Sequence, residues 1–196
     1  MGPEPQIANC NPGIVVVDNF LKNVNEHRDY ALGLEYEQKK SIGLRSKIPN
    51  DSVAYKAAFE RLLQRKITFW PDDINGCYQW CKAGDSLVYH VDDLSHAGVI
   101  YLTPDAPLNA GTSFWKSKNS GLMEFRPWNK EQGDLTFGAQ NKHLKDPDQW
   151  ELVDQVANVY NRLVLWSSKK IHSATSYFGD RPDNARLFQV FFFDCR

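Results

Sequence analysis

Two histidines and one aspartate form the most informative pattern in this sequence, because their types and spacing match a metal-ligand set. His90 and Asp92 lie two positions apart in Asp85–Asp92, a segment whose sequence predicts a β-strand. Side chains alternate between the two faces of a strand, so we expect these two to project from one face. With His172 from a distant strand they would form a 2-His-1-carboxylate facial triad. That triad leaves coordination positions open and suits non-heme Fe(II) oxygen chemistry.

The His-x-Asp tripeptide alone is weak evidence, since it occurs by chance in many chains of this length. An isolated histidine near a strand more often belongs to the core or the surface than to a metal site. The sequence around His172 is what favours the metal site.

Five segments carry a wider resemblance, and they occur along most of the chain. They are Val15–Leu21, Gly98–Thr103, Ala110–Trp115, Arg162–His172 and Arg186–Asp194. In type and order they resemble the prolyl-hydroxylase-like branch of the Fe(II)/2-oxoglutarate-dependent dioxygenases. One departure is Ala110, which stands where the family usually has the first glycine of a pair.

The resemblance implies a role for each group of residues. His90, Asp92 and His172 would hold Fe(II) and form the catalytic centre, while Arg186 and Tyr101 would bind 2-oxoglutarate. Arg181 competes for the role of Arg186, and its distance from His172 is nearer the spacing usual in the family. Arg186 is preferred, because it opens an apolar strand that fixes its direction, whereas Arg181 lies in a turn-rich segment before a proline.

The implied activity is hydroxylation of a C–H bond with O2 and 2-oxoglutarate, releasing succinate and CO2. The substrate is left open between an amino acid, a peptide and a small metabolite, because a fold does not fix a substrate. One alternative is a non-catalytic jelly-roll module that binds a metal or ligand, and another is a metal-independent structural domain. The complete ligand set with a late arginine argues against both.

Composition limits the remaining classes. The chain has 196 residues, 42% hydrophobic and 24% charged, which fits a single domain over residues 1–196 with a substantial core. Its net charge of −1 gives no electrostatic footprint for nucleic acid or an anionic membrane. Without a membrane-length apolar stretch, a signal-like first segment or a dense cysteine framework, we expect a reduced, cytoplasmic protein. The oligomeric state is not predicted.

The pattern of elements predicts an α+β fold or a helix-supported sandwich. The family resemblance implies a double-stranded β-helix (jelly-roll) core with supporting N-terminal helices. Apolar periodicity predicts helices over Asn23–Leu34 and Asp51–Gln64. The Asp146-Pro147 pair predicts the start of a third helix, docked through the apolar residues that follow. Gly121–Lys145 has little periodicity and is either a lid or a plain surface excursion. The predicted strands are Ile14–Asp18, Cys77–Cys81, Ser86–Asp92, Gly98–Leu102, Thr112–Trp115, Asn161–Trp166 and Arg186–Phe193.

Overall fold

The computed structural model of this protein describes residues 6–11, 13–39, 41–50, 53–124 and 142–196. Within these residues the chain forms two helices, α1 (Val24–Leu32) and α2 (Val53–Leu63). The strands are β1 (Gln6–Asn11), β2 (Ile14–Asp18), β3 (Tyr36–Gln38), β4 (Leu44–Ser46), β5 (Ile67–Phe69), β6 (Tyr78–Cys81), β7 (His96–Tyr101), β8 (Thr112–Ser117), β9 (Trp150–Val156), β10 (Leu163–Ser167), β11 (His172–Ala174) and β12 (Arg186–Cys195).

The strands form two sheets, and the fold is mostly β. Among the described residues, the larger sheet has nine strands in the order β1-β2-β10-β7-β12-β6-β4-β3, with β5 paired to β12. The smaller sheet has the order β11-β8-β9. Neighbouring strands pair antiparallel in both sheets.

The larger sheet lies between the helices and the smaller sheet, as the side chains of its strand β12 show. Its side chains alternate, so Leu187 and Phe191 pack with Phe59 of α2 on one face. Phe188 and Val190 pack with Phe114 of β8 on the other face. Each large apolar side chain removed from water contributes about 1.5–3 kcal/mol, which holds the helices on one face of the sheet and the smaller sheet on the other.

The prediction of a helix after Asp146 is wrong. The Asp146 carboxylate does accept a hydrogen bond from the backbone N–H of Asp148, but it begins only a single 3-10 turn, Pro147–Gln149. The chain then continues as β9, because residues 150–156 are rich in strand-forming side chains and their backbone pairs with β8. The apolar residues expected to dock a helix include Leu152 and Val153, which are exposed.

The strand predicted over Asp85–Asp92 is also not a regular strand. His90 forms an isolated two-bond bridge with His172, with N–O distances of 3.0 and 2.8 Å. Neighbouring backbone N–H groups bond elsewhere, Tyr89 to Leu144 and Asp92 to Ser168. The segment is therefore tied to three partners instead of one strand ladder, which its apolar alternation could not indicate.

Two sequence-based expectations fall wholly or partly outside the described residues. The first two residues of the second predicted helix, Asp51 and Ser52, lie outside them, as does most of the segment considered as a lid, Gly121–Lys145. Among the helices that the structure does describe, none combines the length and the apolar composition needed to cross a bilayer.

Candidate metal centre

The structure brings His90, Asp92 and His172 together at one point. One ligand atom from each lies within 4.8 Å of the others. The Nε2 atom of His90 is 3.6 Å from Oδ1 of Asp92, and Nε2 of His172 is 3.2 Å from Oδ2. All three side chains are largely buried. The three residues predicted as metal ligands are thus neighbours in space, although His172 is distant in sequence.

Backbone carbonyls fix the tautomer of both imidazoles. Nδ1 of His90 is 2.9 Å from the carbonyl oxygen of Val88, and Nδ1 of His172 is 2.8 Å from that of Lys170. A carbonyl can only accept, so each Nδ1 carries the proton and donates it. Each Nε2 therefore presents a lone pair toward Asp92. A second hydrogen bond of this kind is what orients histidines that bind metals.

Electrostatics favour the deprotonated forms of His90 and Asp92. Burial, and then repulsion from His172, lower the pKa of His90 to about 4, so its imidazole is neutral at pH 7. Burial acts to raise the pKa of Asp92, but His172 and His90, when they carry a second proton, and Lys169 outweigh burial, so the pKa is lowered. Oδ2 of Asp92 is buried and has no hydrogen-bond partner among the described residues. A buried carboxylate that faces two imidazole lone pairs fits a divalent cation.

The three side chains line a cavity of about 680 Å³ between the two sheets. This volume lies within the range of about 300–1,000 Å³ usual for small-molecule sites. The cavity face of β12 supplies Arg186, Phe188, Val190 and Phe192, as strand alternation predicts.

Arg186 is a buried cation in this cavity, with 3% of its surface exposed. Its Nε and Nη2 donate to the carbonyl oxygens of Ala110 and Gly111, at 3.0 and 3.2 Å. Its guanidinium carbon lies 4.4 Å from the ring centroid of Phe188 and 5.3 Å from that of Tyr101. These contacts hold the guanidinium without neutralising its charge, as an anion site requires.

Arg181, in contrast to Arg186, is exposed, is paired with an acidic residue and lies outside the cavity. Its side chain is 65% exposed and its Nε lies 3.2 Å from Oδ1 of Asp183. It does not line the cavity. Of the two arginines weighed from the sequence, Arg186 is therefore the one that shares the cavity with the histidines.

Tyr101 does not line the cavity that contains Arg186. It is fully buried, and its hydroxyl lies 2.7 Å from Oγ1 of Thr112, whose residue does line the cavity. Burial is the main reason that the pKa of Tyr101 is raised. Tyr101 therefore contacts Thr112 and Arg186 from outside the cavity. Thr112 was not predicted, because a threonine in a strand carries no distinguishing sequence signal.

Gly111, the one glycine that remains of the expected pair, lies where a side chain would not fit. A Cβ atom at this position would lie 1.9 Å from the carbonyl oxygen of Val156 and 2.8 Å from the backbone nitrogen of Asn158. Ala110, by contrast, fits with its side chain fully buried. The departure at Ala110 leaves intact the two carbonyls that hold Arg186.

Arg45 is a further cavity residue that the sequence did not indicate. It lies in β4, a strand of three residues with no apolar periodicity, and its guanidinium donates from Nε and Nη2 to Oε1 of Gln79, at 3.0 and 2.7 Å. Both residues line the cavity. Only the pairing of β4 with β6 brings them there.

Solved structures with a similar fold include HygX from Streptomyces hygroscopicus, with nickel, 2-oxoglutarate and hygromycin B bound. The two chains are 14% identical, 92% of this chain and 82% of HygX are covered, and the TM-score is 0.56. A Trichoplax adhaerens prolyl hydroxylase, in complex with a hypoxia inducible factor peptide fragment, is 12% identical, with a TM-score of 0.53 and coverage of 94% and 84%. At these identities the similarity establishes the fold, and it confirms the expected resemblance in fold to the prolyl-hydroxylase-like dioxygenases.

No curated protein matches this sequence. Residues 68–193 match the family DUF6445, which is described as a family of unknown function. The matched region is more than half of the chain and contains His90, Asp92, His172 and Arg186, whereas β4 precedes it. The chain is therefore a member of the DUF6445 family, built on the fold of the prolyl-hydroxylase-like dioxygenases.

Proposed function

We propose that this protein is an Fe(II)- and 2-oxoglutarate-dependent oxygenase that hydroxylates a C–H bond of an amino acid, a peptide or a small metabolite. The observation that carries the proposal is the convergence of two imidazole lone pairs and a buried carboxylate in a cavity that also contains Arg186. Residues 1–196 would form one domain, in which the two facing sheets make up a double-stranded β-helix.

His90, Asp92 and His172 are the residues that would hold Fe(II). Two neutral nitrogen donors and one carboxylate oxygen are the set typical of non-heme Fe(II) sites with open positions. When bound, Fe(II) would supply the activation of O2 and of a C–H bond, with succinate and CO2 released. Asp92 provides the carboxylate that favours hydroxylation over halogenation.

Arg186 would hold the distal carboxylate of 2-oxoglutarate. Two of its donors are used by backbone carbonyls, which leaves others of the fork for an anion. The Thr112 hydroxyl, held by Tyr101, is a second polar group on this part of the cavity wall. The apolar walls, including Phe188 and Val190, keep water away and so strengthen the charge-assisted contact.

Succinate formation from 2-oxoglutarate tests this proposal. The purified chain with Fe(II) and ascorbate is incubated in air with a panel of amino acids, peptides and small metabolites. We expect succinate above the metal-free background, stimulated by at least one substrate class. Asp92→Ala should abolish it and Asp93→Ala should retain it, since Asp93 lines the cavity without joining the triad. A chain that binds metal but forms no succinate would instead support the non-catalytic binding module.

A further inference from the structure

Arg45 lies in a row of paired residues that crosses the cavity face of the larger sheet. The register of β4 with β6 places it opposite Gln79, and that of β6 with β12 places Gln79 opposite Phe188. Directly paired residues share a face, and all three line the cavity.

This position separates Arg45 from Arg186. Arg186 lies two residues from Phe188 along β12, and Phe188 lies two strands from Arg45. With strands about 4.8 Å apart and a rise of about 3.3 Å per residue, the two arginine Cα atoms are about 12 Å apart. The two guanidiniums are also held by different groups, the Gln79 amide and the carbonyls of Ala110 and Gly111. They are therefore two distinct candidate anion sites.

Gln79 orients Arg45 without neutralising it. Its Nε2 donates to the carbonyl oxygen of Ile42 at 2.7 Å, which turns Oε1 toward the guanidinium. Nε and one N–H of Nη2 bond to that oxygen. A guanidinium has five N–H donors, and within the described part of the chain the remaining donors of Arg45 meet no acceptor.

The lysines near Arg45 behave differently. Lys39 and Lys47 also line the cavity, but they pair with Glu37 and Glu35. No ion pair of Arg45 occurs among the described residues. Burial therefore lowers the pKa of Arg45, an effect that nearby thiols and Asp92 only partly offset. A partly buried cation with an amide partner is stabilised when an anion binds it.

The charges expected at the metal centre leave Arg45 uncompensated. A divalent ion, Asp92, Arg186 and the 2-oxoglutarate dianion together carry no net charge. Asp73 and Asp93 line the cavity but are exposed to solvent. Ser41, which precedes β4, adds a buried hydroxyl on the cavity wall without a hydrogen-bond partner among the described residues. Arg45 and Ser41 are polar groups of the cavity wall that neither the metal nor 2-oxoglutarate would use.

We propose that Arg45 binds a carboxylate of the substrate that is hydroxylated. The planar fork of a guanidinium matches a carboxylate in a bidentate pair. The inference rests on the proposed function and narrows it, because a free amino acid or another small carboxylic acid fits this site and an uncharged internal peptide segment does not.

Arginine Nε–H resonances of the full chain, loaded with Zn(II) and labelled at arginine, test the proposal. Arg45→Lys and Arg186→Lys assign the two signals by their loss. We expect 2-oxoglutarate to shift the Arg186 signal. With 2-oxoglutarate saturating, acetate should then shift the Arg45 signal saturably, and acetamide, the uncharged control, should not. Lys39→Gln should leave the acetate response unchanged, and Arg45→Gln should weaken acetate binding by about 10-fold or more, as loss of a charge-assisted pair predicts.

The outcomes separate this inference from the proposed function. If 2-oxoglutarate shifts Arg186 but acetate shifts nothing, only the role of Arg45 is overturned. A 2-oxoglutarate shift at Arg45 instead of Arg186 would make Arg45 the cosubstrate anchor and also overturn it. A response to inorganic phosphate without one to acetate would overturn the carboxylate class. A chain that shows no effect of 2-oxoglutarate at either arginine contradicts the proposed function, and with it the substrate role of Arg45.

Discussion

A backbone carbonyl two residues before each histidine decides the chemistry of the candidate centre. Because Val88 and Lys170 accept from Nδ1, both Nε2 atoms face Asp92 as lone pairs. A histidine that merely filled a core would have no reason to present its second nitrogen to another histidine and a buried carboxylate.

Asp92→Ala is expected to abolish metal binding and turnover while the protein still folds. The carboxylate oxygen Oδ2 has no hydrogen-bond partner among the described residues, so its removal leaves no donor unpaired. Changes to groups outside a ligand set already weaken metal affinity by about 10- to 100-fold, and loss of a ligand should exceed that. Calorimetric metal titration measures the effect, and wild-type affinity in a folded Asp92→Ala variant would exclude Asp92 as a ligand.

Arg186→Ala should weaken 2-oxoglutarate binding by about 10- to 150-fold, the value of a charge-assisted pair of ~1.5–3 kcal/mol. Arg181→Ala is the matched control and should change the Kd little, because Arg181 is exposed and paired with Asp183. Binding measured with the Zn(II)-loaded chain reports both constants. A large loss confined to the Arg181 variant would reverse the assignment.

Among the elements, β2 and the two N-terminal helices could be predicted, whereas β4 and β9 could not. The predicted bounds of Ile14–Asp18 are those of β2, and the two N-terminal helices differ from α1 and α2 only at their ends. β9 was missed because a real capping group, Asp146, begins only one turn before the backbone pairs with β8. Arg45 was missed because three residues carry no periodicity, and its neighbours are set by pairing with a distant strand.

The proximity of His90, Asp92 and His172 could be predicted, although the strand predicted for the first two was wrong. Side chains two residues apart lie on one side of any extended segment, and His90 and Asp92 remain neighbours without a regular ladder. The hydrogen bond between the Tyr101 hydroxyl and Thr112 could not be predicted, because Thr112 belongs to the other sheet.

Gly111→Ala tests the close contact between the residue before β8 and the end of β9. The added Cβ would overlap the Val156 carbonyl, so we expect the free energy of unfolding to fall by about 1–3 kcal/mol. Gly33→Ala is the control, since the nearest atom to a Cβ there is at 3.6 Å. Denaturant titration compares the midpoints, and equal midpoints would contradict the contact.

His96, the first residue of β7, should make stability depend on pH. Its ring stacks on Phe193 with centroids 5.5 Å apart, and burial, then repulsion from Arg65, lower its pKa despite attraction from Asp194. Because the folded-state pKa is below the unfolded-state value of about 6.5, the unfolded chain binds more protons in this window. The free energy of unfolding should therefore fall as pH decreases below about 6.5. His96→Gln should reduce this slope in urea titrations at pH 5 to 7, and an unchanged slope would refute the assignment.

In the whole molecule, one face of the larger sheet packs against the helices and the other face lines the cavity with the candidate site. Helices and aromatic side chains such as Phe59 and Phe191 fill one side, while the smaller sheet leaves a cavity on the other. The same alternation along β12 supplies both the core and the cavity wall. Substitutions on the helix side should change stability, and those on the cavity side should change ligand binding.

The most direct test of the proposed oxygenase is an anaerobic titration of the full chain with Fe(II), with and without 2-oxoglutarate. Fe(II) held by His90, Asp92 and His172 would give a weak visible charge-transfer band once 2-oxoglutarate binds it. We predict that the band appears only when both are present, that it saturates at one Fe(II) per chain, and that it is absent from Asp92→Ala. A wild-type chain that binds Fe(II) but develops no band with saturating 2-oxoglutarate would contradict the proposal.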